Sequence, residues 1–476
     1  MVGDTTGMTA DSPGRLRAPR PAERVRAEPA ALWAYLAACL AAVAFLGFVA
    51  GGLAALADAY PARHLRDAYL AGTALYAQLT RYASPFPDDL WRPARTTARG
   101  VTVHDPARAQ EGLTLYTSGH AQKAFLIGMD GRVVHEWGVP FSAVWDDSAA
   151  VRRPRPDAQV YLEKAVAYPN GDLLALYVAV GDTPWGYGLV KLDKDSRVLW
   201  KYLAHAHHDV AVAADGKVYL LTQEVGRDDA PGLAAVRPPR IDDYVVVLSP
   251  EGRELRKVRL LDALLRSRYA HFLDAVPWYV TKGSGDYLHT NGIDVLDGTG
   301  ARRLPAATAG RVLLSFREIN AVAILDLDAV EIVWATLGPW LRQHDPDLLP
   351  GGHLLLFDNQ GHGGPGGMSR VIEVDPATLG IVWSYAGTTD RPFESAVRSS
   401  QQRLANGNTL VAESDGGRLL EVTPGGETVW EYVNPVRGTR PDGGEEMVPI
   451  VFWAERLDPA YFDPGILGGR AGREAS

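Results

Sequence analysis

A single cysteine, Cys39, supplies all the thiol chemistry of this 476-residue chain. No disulfide can therefore form within one chain, and no cysteine-based metal site can be built. Positive charge is also short: 48 Lys and Arg stand against 57 Asp and Glu, a net charge of −9. No basic stripe with interleaved aromatics occurs, so no nucleic-acid partner is expected. GxSxG, Walker and HExxH signatures are missing, which sets aside nucleophile-elbow hydrolases, P-loop enzymes and zincins. Beyond His362 the chain has no further histidine.

Long uncharged runs are absent too, with one exception. From Leu32 to Ala57 no residue carries a formal charge, and that run exceeds the roughly 20 residues needed to cross a bilayer. Trp33 and Tyr35 stand at its start, where interfacial aromatics belong. Residues 31–57 read as an uncleaved single-pass anchor. A signal peptide cut after Ala55-Leu56-Ala57 is the rival, although its apolar region would span only about 7–15 residues. Arg15, Arg17, Arg20, Arg24 and Arg26 precede the run, against Arg63 and Arg66 after it. The positive-inside rule then keeps the N-terminus cytoplasmic, with the rest beyond an inner membrane, facing the periplasm or exterior. Residues 1–30, rich in Pro, Arg and Ala, read as a disordered tail. Residues 58–100 read as a stalk helix (Ala62–Tyr82) followed by a proline-broken linker.

What the chain has in abundance is repetition. A hydrophobic strand, a polar turn and a second strand closing on Trp recur at Phe125–Trp137, Gly188–Trp200, Val322–Trp334, Arg370–Trp383 and Arg418–Trp430, with a Trp-less copy at Tyr244–Val258. Between them run YPNGDLLALY, AADGKVYLLTQE, LPGGHLLLFDN and LANGNTLVAES, whose turn glycines between apolar runs mark hairpins. Self-similarity at this spacing predicts an all-β, six-bladed β-propeller over residues 101–476, behind the transmembrane helix and short stalk. The blades are expected near 112–140, 160–203, 207–260, 287–336, 344–387 and 398–433, with a helical insertion near 261–286. Val448–Leu457 would supply a strand to the first blade and close the ring, removing an exposed edge. The recurring Trp is expected to pack between blades.

Aligning the units on their turn glycines reveals a polar ring. His208 lies eight residues before Gly216, His344 eight before Gly352, and His289 nine before Gly298; His208 and His344 are each followed by Asp. At the same register stand Glu163, beside Lys164, and Ser399. Equivalent positions at the start of equivalent strands map to one ring around the axis. Any one histidine alone would be a hydrogen-bonded turn residue; three in one register are candidates for general acid–base work, nucleophilic attack or metal binding. A three-histidine metal site stays an alternative, although no metal or cofactor is expected. Arg317, in an otherwise apolar strand, would pair with an acid or an anion. His362 lies in the Gly-rich loop DNQGHGGPGG, whose backbone could approach a ligand closely.

At these residues the chain resembles the arylsulfotransferase family, bacterial aryl-sulfate sulfotransferases built as six-bladed propellers. The resemblance covers residues 110–460. It rests on HHDVAVAADGKVYLL, SFREINAVAILD, QHDPDLLPGGHLLLFDNQGHGG and QRLANGNTLVAESDGGRLLEVTPGGETVWEY. It implies an exported enzyme moving a sulfuryl group from an aryl sulfate to a phenol without a nucleotide donor. By motif match His208 and His344 would be anion-binding or acid/base residues, Arg317 a sulfate clamp and His362 a sulfate contact. With the register reading, His344, His208 and His289 are the catalytic candidates and Arg317, His362, Lys164 and Gln402 the substrate-binding ones. The family places its nucleophilic histidine in the last blade. The matching stretch here, SSQQRLANGNTLVAESDGGR, offers Ser399, Gln402, Glu413 and Arg418 instead. Either His344 or His208 takes over, or transfer is direct, or the propeller no longer transfers sulfate. The alternative function is a non-catalytic binding or scaffold propeller of the cell envelope. The oligomeric state is not fixed by the sequence.

Overall fold

The computed structural model describes residues 29–57, isolated positions from 59 to 76, and then 89–228, 238–277, 280, 285–440 and 444–466. The expected disordered tail and most of the stalk helix lie outside these residues. Residues 1–73 and 74–476 form separate compact units. In the first, Pro29–Leu56 is one helix, and its Ala30–Leu56 stretch is long and apolar enough to cross a membrane. At 1.5 Å per residue it spans about 40 Å.

The second unit is built of antiparallel sheets, six of which carry the repeat. In chain order they cover 113–138, 160–202, 206–259, 290–337, 344–386 and 400–433. Each is a four-strand meander, and Val451–Leu457 lies beside Leu113–Ser118 as the first strand of the first sheet. The ring closes as the leftover C-terminal strand suggested. The sixth sheet gains a fifth, outermost strand, Gly100–His104, paired with Thr428–Val433. The first strands of the six sheets, Val451–Leu457, Val160–Ala167, Ala206–Val212, Thr290–Val295, His344–Leu348 and Ser400–Arg403, touch one another in a closed circuit. They therefore surround an axis.

Local chemistry explains each piece. Gly171, Gly216, Gly352 and Gly407 close the first hairpin of their sheets at φ of 81–87°, a left-handed conformation that costs other residues a steric penalty. The second strands, such as Leu173–Ala179 and Leu354–Asp358, are buried at every residue. Neighbouring sheets cover both their faces, so they read as unbroken apolar runs rather than alternating ones. Buried clusters accordingly straddle pairs of sheets: Leu126 and Trp137 meet Leu173 and Tyr177, and Val245 meets Phe316 and Ala323.

The recurring Trp also ties sheets together. Nε1 of Trp137 donates to Gly171 O, Trp200 to Pro250 O, Trp383 to Pro424 O and Trp430 to Met129 O, each across to the next sheet. Within the insertion, helix Leu260–Arg266 and the 3₁₀ turn Ala270–Ala275 send Leu260, Leu264 and Leu273 into the core between the third and fourth sheets. One boundary differs from the sequence reading. Trp91–Pro93, expected as linker, pairs with Met447–Pro449 in a small three-stranded sheet, because Pro93 at an edge gives up no ladder bond.

Candidate active site

Five of the six first strands break register near one end. The breaks fall between Leu162 and Lys164, His207 and Val210, Thr290 and Gly292, His344 and Asp347, and Val451 and Trp453. A bulge re-aims the side chain it carries. Here the bulged residues Glu163, His208, Asp209, Asn291, Asp345 and Phe452 all face the axis. His208, His289, Asp345, Arg398 and Ser399 hold φ between 49° and 79°, left-handed values that non-glycine residues adopt at some cost.

These residues line two connected spaces. A narrow throat of about 40 Å³ is walled by Lys164, Asp209, Asn291, Asp345 and Ser400. A wider chamber of about 240 Å³ is walled by Tyr161, Trp185, His289, Arg317 and Asp182, among others. Glu163, His208, His344 and Arg398 border both.

The three histidines meet as the register argument implied, but their nitrogens are differently engaged. His289 Nδ1 shares a short hydrogen bond with Asp286 Oδ2, which leaves Nε2 for the chamber. Its ring lies 4.8 Å from that of His208 and 5.1 Å from that of Trp185. His208 Nδ1 is 2.7 Å from His207 Nδ1, so one of the two carries the hydrogen and the other accepts it. His344 is the most constrained. Its Nδ1 bonds Asn359 Oδ1 at 2.7 Å, and its Nε2 accepts the backbone N–H of Arg398 at 3.2 Å. That pattern sets one neutral tautomer and occupies the lone pair a nucleophile would use.

Burial dominates the electrostatics. It drives all three histidines well below their ordinary range, and Arg317 adds to the effect on His289 and His344. They are neutral at physiological pH. Burial also pushes the Glu163 carboxyl up to about 7, against the opposing pull of Arg398 and the His208 N–H. Asp286 and Asp345 rise by the same cause, to about 7 each. Neutral imidazoles with a carboxyl poised near neutrality are suited to proton transfer at ambient pH.

The remaining residues expected to bind substrate separate. Arg317 lines the chamber and is anchored by Glu318 Oε1 at 2.7 Å, an oxygen that Arg342 shares. Lys164 does not reach the chamber: in the throat it pairs with Asp209, and the Asp209 and Asp345 charges overcome burial to hold it protonated. Gln402 faces the neighbouring strand, bonding the backbone N and O of Arg456. The first strand of the sixth sheet has no bulge against the second, and Gln401 rather than Gln402 bonds Asp345 and Asp347. His362 lines neither space; its N–H bonds Met368 O and closes the loop on itself. Among the described residues no group of three or more His, Cys, Asp or Glu side chains could hold a metal ion.

Sequence reasoning left several residues of the two spaces without a role. Glu163 was in register but unassigned. Trp185, Tyr161, Phe452 and Arg398 carried no periodic signal. The Tyr161 and Phe452 rings stack at 4.2 Å, with Tyr161 lining the chamber and Phe452 the throat.

A family model for arylsulfotransferase (ASST) matches residues 164–435, more than half of the chain. The chain belongs to the arylsulfotransferase family. That match spans the second through sixth sheets and all three histidines of the arylsulfotransferase ring. No curated protein matches the sequence. Among solved structures, a Bacteroides caccae protein of unknown function is 12% identical with a TM-score of 0.44, covering 72% of this chain and 99% of its own. A streptogramin B lyase is 12% identical with a TM-score of 0.38, over 77% and 97%. The propeller domain of Myceliophteria thermophila Cps50 (Swd1) is 10% identical with a TM-score of 0.37, over 76% and 99%. At such low similarity the topology rests on the strand pairings above.

Proposed function

We propose that this arylsulfotransferase-family chain moves a sulfuryl group from an aryl sulfate to a phenolic acceptor in the axial chamber, with His289 as the nucleophile. The supporting observation is the Asp286–His289 pair: a carboxylate on Nδ1 orients the ring and makes Nε2 electron-rich toward the chamber. In this reading Nε2 attacks sulfur and the sulfur–oxygen bond to the aryl group breaks. The departing phenolate takes the proton of Glu163, whose carboxyl still holds one near neutrality. In the return half, Glu163 accepts the proton of the incoming phenol. The phenol oxygen attacks sulfur, the nitrogen–sulfur bond breaks, and His289 is restored. Arg317 faces the sulfonate oxygens, and Trp185 with the Tyr161–Phe452 stack receives the rings. His208 and His344 support the site rather than carry the group. The apolar N-terminal helix would hold the propeller on the outer side of an inner membrane, toward the periplasm.

The test uses the full chain in detergent, 4-nitrophenyl sulfate as donor, and phenol as acceptor. Phenol-dependent release of nitrophenol is expected, falling at least about a thousandfold in His289→Ala and Glu163→Gln. Folded wild-type protein inert toward several aryl sulfates would end this reading and leave a binding propeller.

A further inference from the structure

Arg398 is unlike the other enclosed arginines of the propeller. Arg456 pairs with Glu421, Arg370 with Asp358, Arg418 with Glu413 and Glu431, and Arg240 with Asp242 and Asp228. Arg398 is partly buried on the wall shared by chamber and throat. Among the described residues, no carboxylate lies within ion-pairing distance of it. Its guanidinium lies over the Phe452 ring at 5.0 Å and the Tyr161 ring at 5.8 Å, and its single side-chain hydrogen bond, to Tyr161 Oη, is long at 3.4 Å. A guanidinium has five donors and matches an anion through a planar fork. Glu163 and Asp89 act on it only at longer range, and enclosing a guanidinium with no carboxylate in direct contact is unfavourable unless a closer group supplies the charge.

The backbone is built to hold it there. Arg398 and Ser399 are consecutive left-handed residues at φ 64° and 79°. His344 Nε2 receives the Arg398 N–H, Asn359 Nδ2 donates to its carbonyl at 2.9 Å, and Ser399 Oγ accepts Ser414 N–H at 3.1 Å. Three contacts from two sheets fix a strained turn whose one product is a cation aimed into the cavity. This explains the engagement of His344: it is a positioning residue for Arg398.

We infer that Arg398 is a second anion-holding group of the site, contributed by the sixth sheet, so that a sulfate monoester is gripped between the Arg317 and Arg398 guanidinium groups. The inference rests on the sulfuryl-transfer reading for the identity of the substrate, though not for the existence of the anion subsite. With Arg398 engaged on the sulfonate oxygens, the sixth sheet supplies charge stabilisation where the family pattern supplies a nucleophile, and the nucleophile belongs to another sheet.

The experiment measures binding and turnover separately on the full chain in detergent. Sodium sulfate is titrated at constant ionic strength against sodium chloride, read by tryptophan fluorescence, in wild type, Arg398→Gln and Arg398→Lys. Transfer kinetics with 4-nitrophenyl sulfate follow on the same samples. Arg398→Gln is expected to weaken sulfate binding and raise KM for the donor by about tenfold or more, with Arg398→Lys intermediate. Asn359→Ala is expected to reproduce a smaller part of that loss. If Arg398→Gln does not fold, Arg398→Lys and Tyr161→Phe decide. Sulfate binding that depends on Arg398 in a protein without transferase activity upholds the subsite and removes the transfer reading. Equal sulfate affinity and equal donor KM in wild type and the Arg398 variants overturn the inference, whether or not transfer occurs.

Discussion

Replacing Glu163 by Gln should make the protein more stable and less active, with the stability gain growing from about pH 4.5 and reaching its full size above about pH 7. The Glu163 carboxyl is enclosed between chamber and throat, accepts the His208 backbone N–H at 2.8 Å, and faces Arg398 on one side and Asp209 on the other. Below about pH 4.5 both folded and unfolded chains hold its proton, so the substitution is neutral there. As pH rises toward 7, the unfolded chain releases the proton before the folded one does, and the wild type loses stability. A pKa raised from 4.5 to about 7 corresponds, at about 1.4 kcal/mol per pH unit, to a penalty of about 3 kcal/mol at pH 8. Glutamine keeps an oxygen for the His208 N–H and carries no charge to desolvate. Unfolding entropy is about 2 cal/mol/K per residue, so for a propeller of roughly 370 residues the gain is a Tm shift of about 4 °C. Thermal unfolding of wild type and Glu163→Gln, followed by near-ultraviolet circular dichroism at pH 5 and pH 8, reads this directly. A variant less stable than wild type at pH 8, or a gap equal at both pH values, would refute the reasoning and with it the assignment of Glu163 as a carboxyl poised for proton transfer.

Three further outcomes are expected. Asp286→Asn should leave the fold intact and reduce kcat by about 10²- to 10⁴-fold, measured by the nitrophenol assay, since the amide no longer orients the His289 ring or enriches its Nε2 for attack. Lys164→Met should leave Asp209 and Asp345 in the throat without their cation and cost about 3–5 kcal/mol in denaturant unfolding. That loss should shrink at pH 5, where Asp345, already near 7 in the native protein, is protonated. Glu421→Ala should cost a similar amount, because Arg456 and Glu421 are both fully enclosed and 3.0 Å apart; protease sensitivity at the C-terminal strand would rise with it.

The sheets were legible because the repeat states them twice: an apolar run for the covered second strand and a left-handed glycine for the turn before it. Sheet limits read from the pattern lie within three residues of those observed. The histidine ring was legible for the same reason, since equivalent register means equivalent height on the axis. What failed was anything decided by a single bulge. Gln402 was named as substrate-binding from the last-sheet stretch, but its strand is unbulged, and its side chain bonds Arg456 while that of Gln401 bonds Asp345 and Asp347. Lys164 follows the in-register Glu163, and past the break between Leu162 and Lys164 it lines only the throat, whereas Glu163 borders both spaces. Arg398 and Trp185 precede strands, where no periodicity marks them, and their roles come only from packing across sheets.

Phe452, the ring under the Arg398 guanidinium, comes from the last strand of the propeller, Val451–Leu457. That strand is also the inner wall of the first sheet, some 340 residues from its partner Leu113–Ser118 along the chain. The throat, which Phe452 and Trp453 line, is thus finished only when this strand docks onto one of the earliest strands made. A nascent chain with five sheets already formed still has an open seam and an unsupported arginine. The throat is therefore the last part of the ring to be completed: without Val451–Leu457 it lacks the Phe452 wall and Arg398 lacks the ring beneath it.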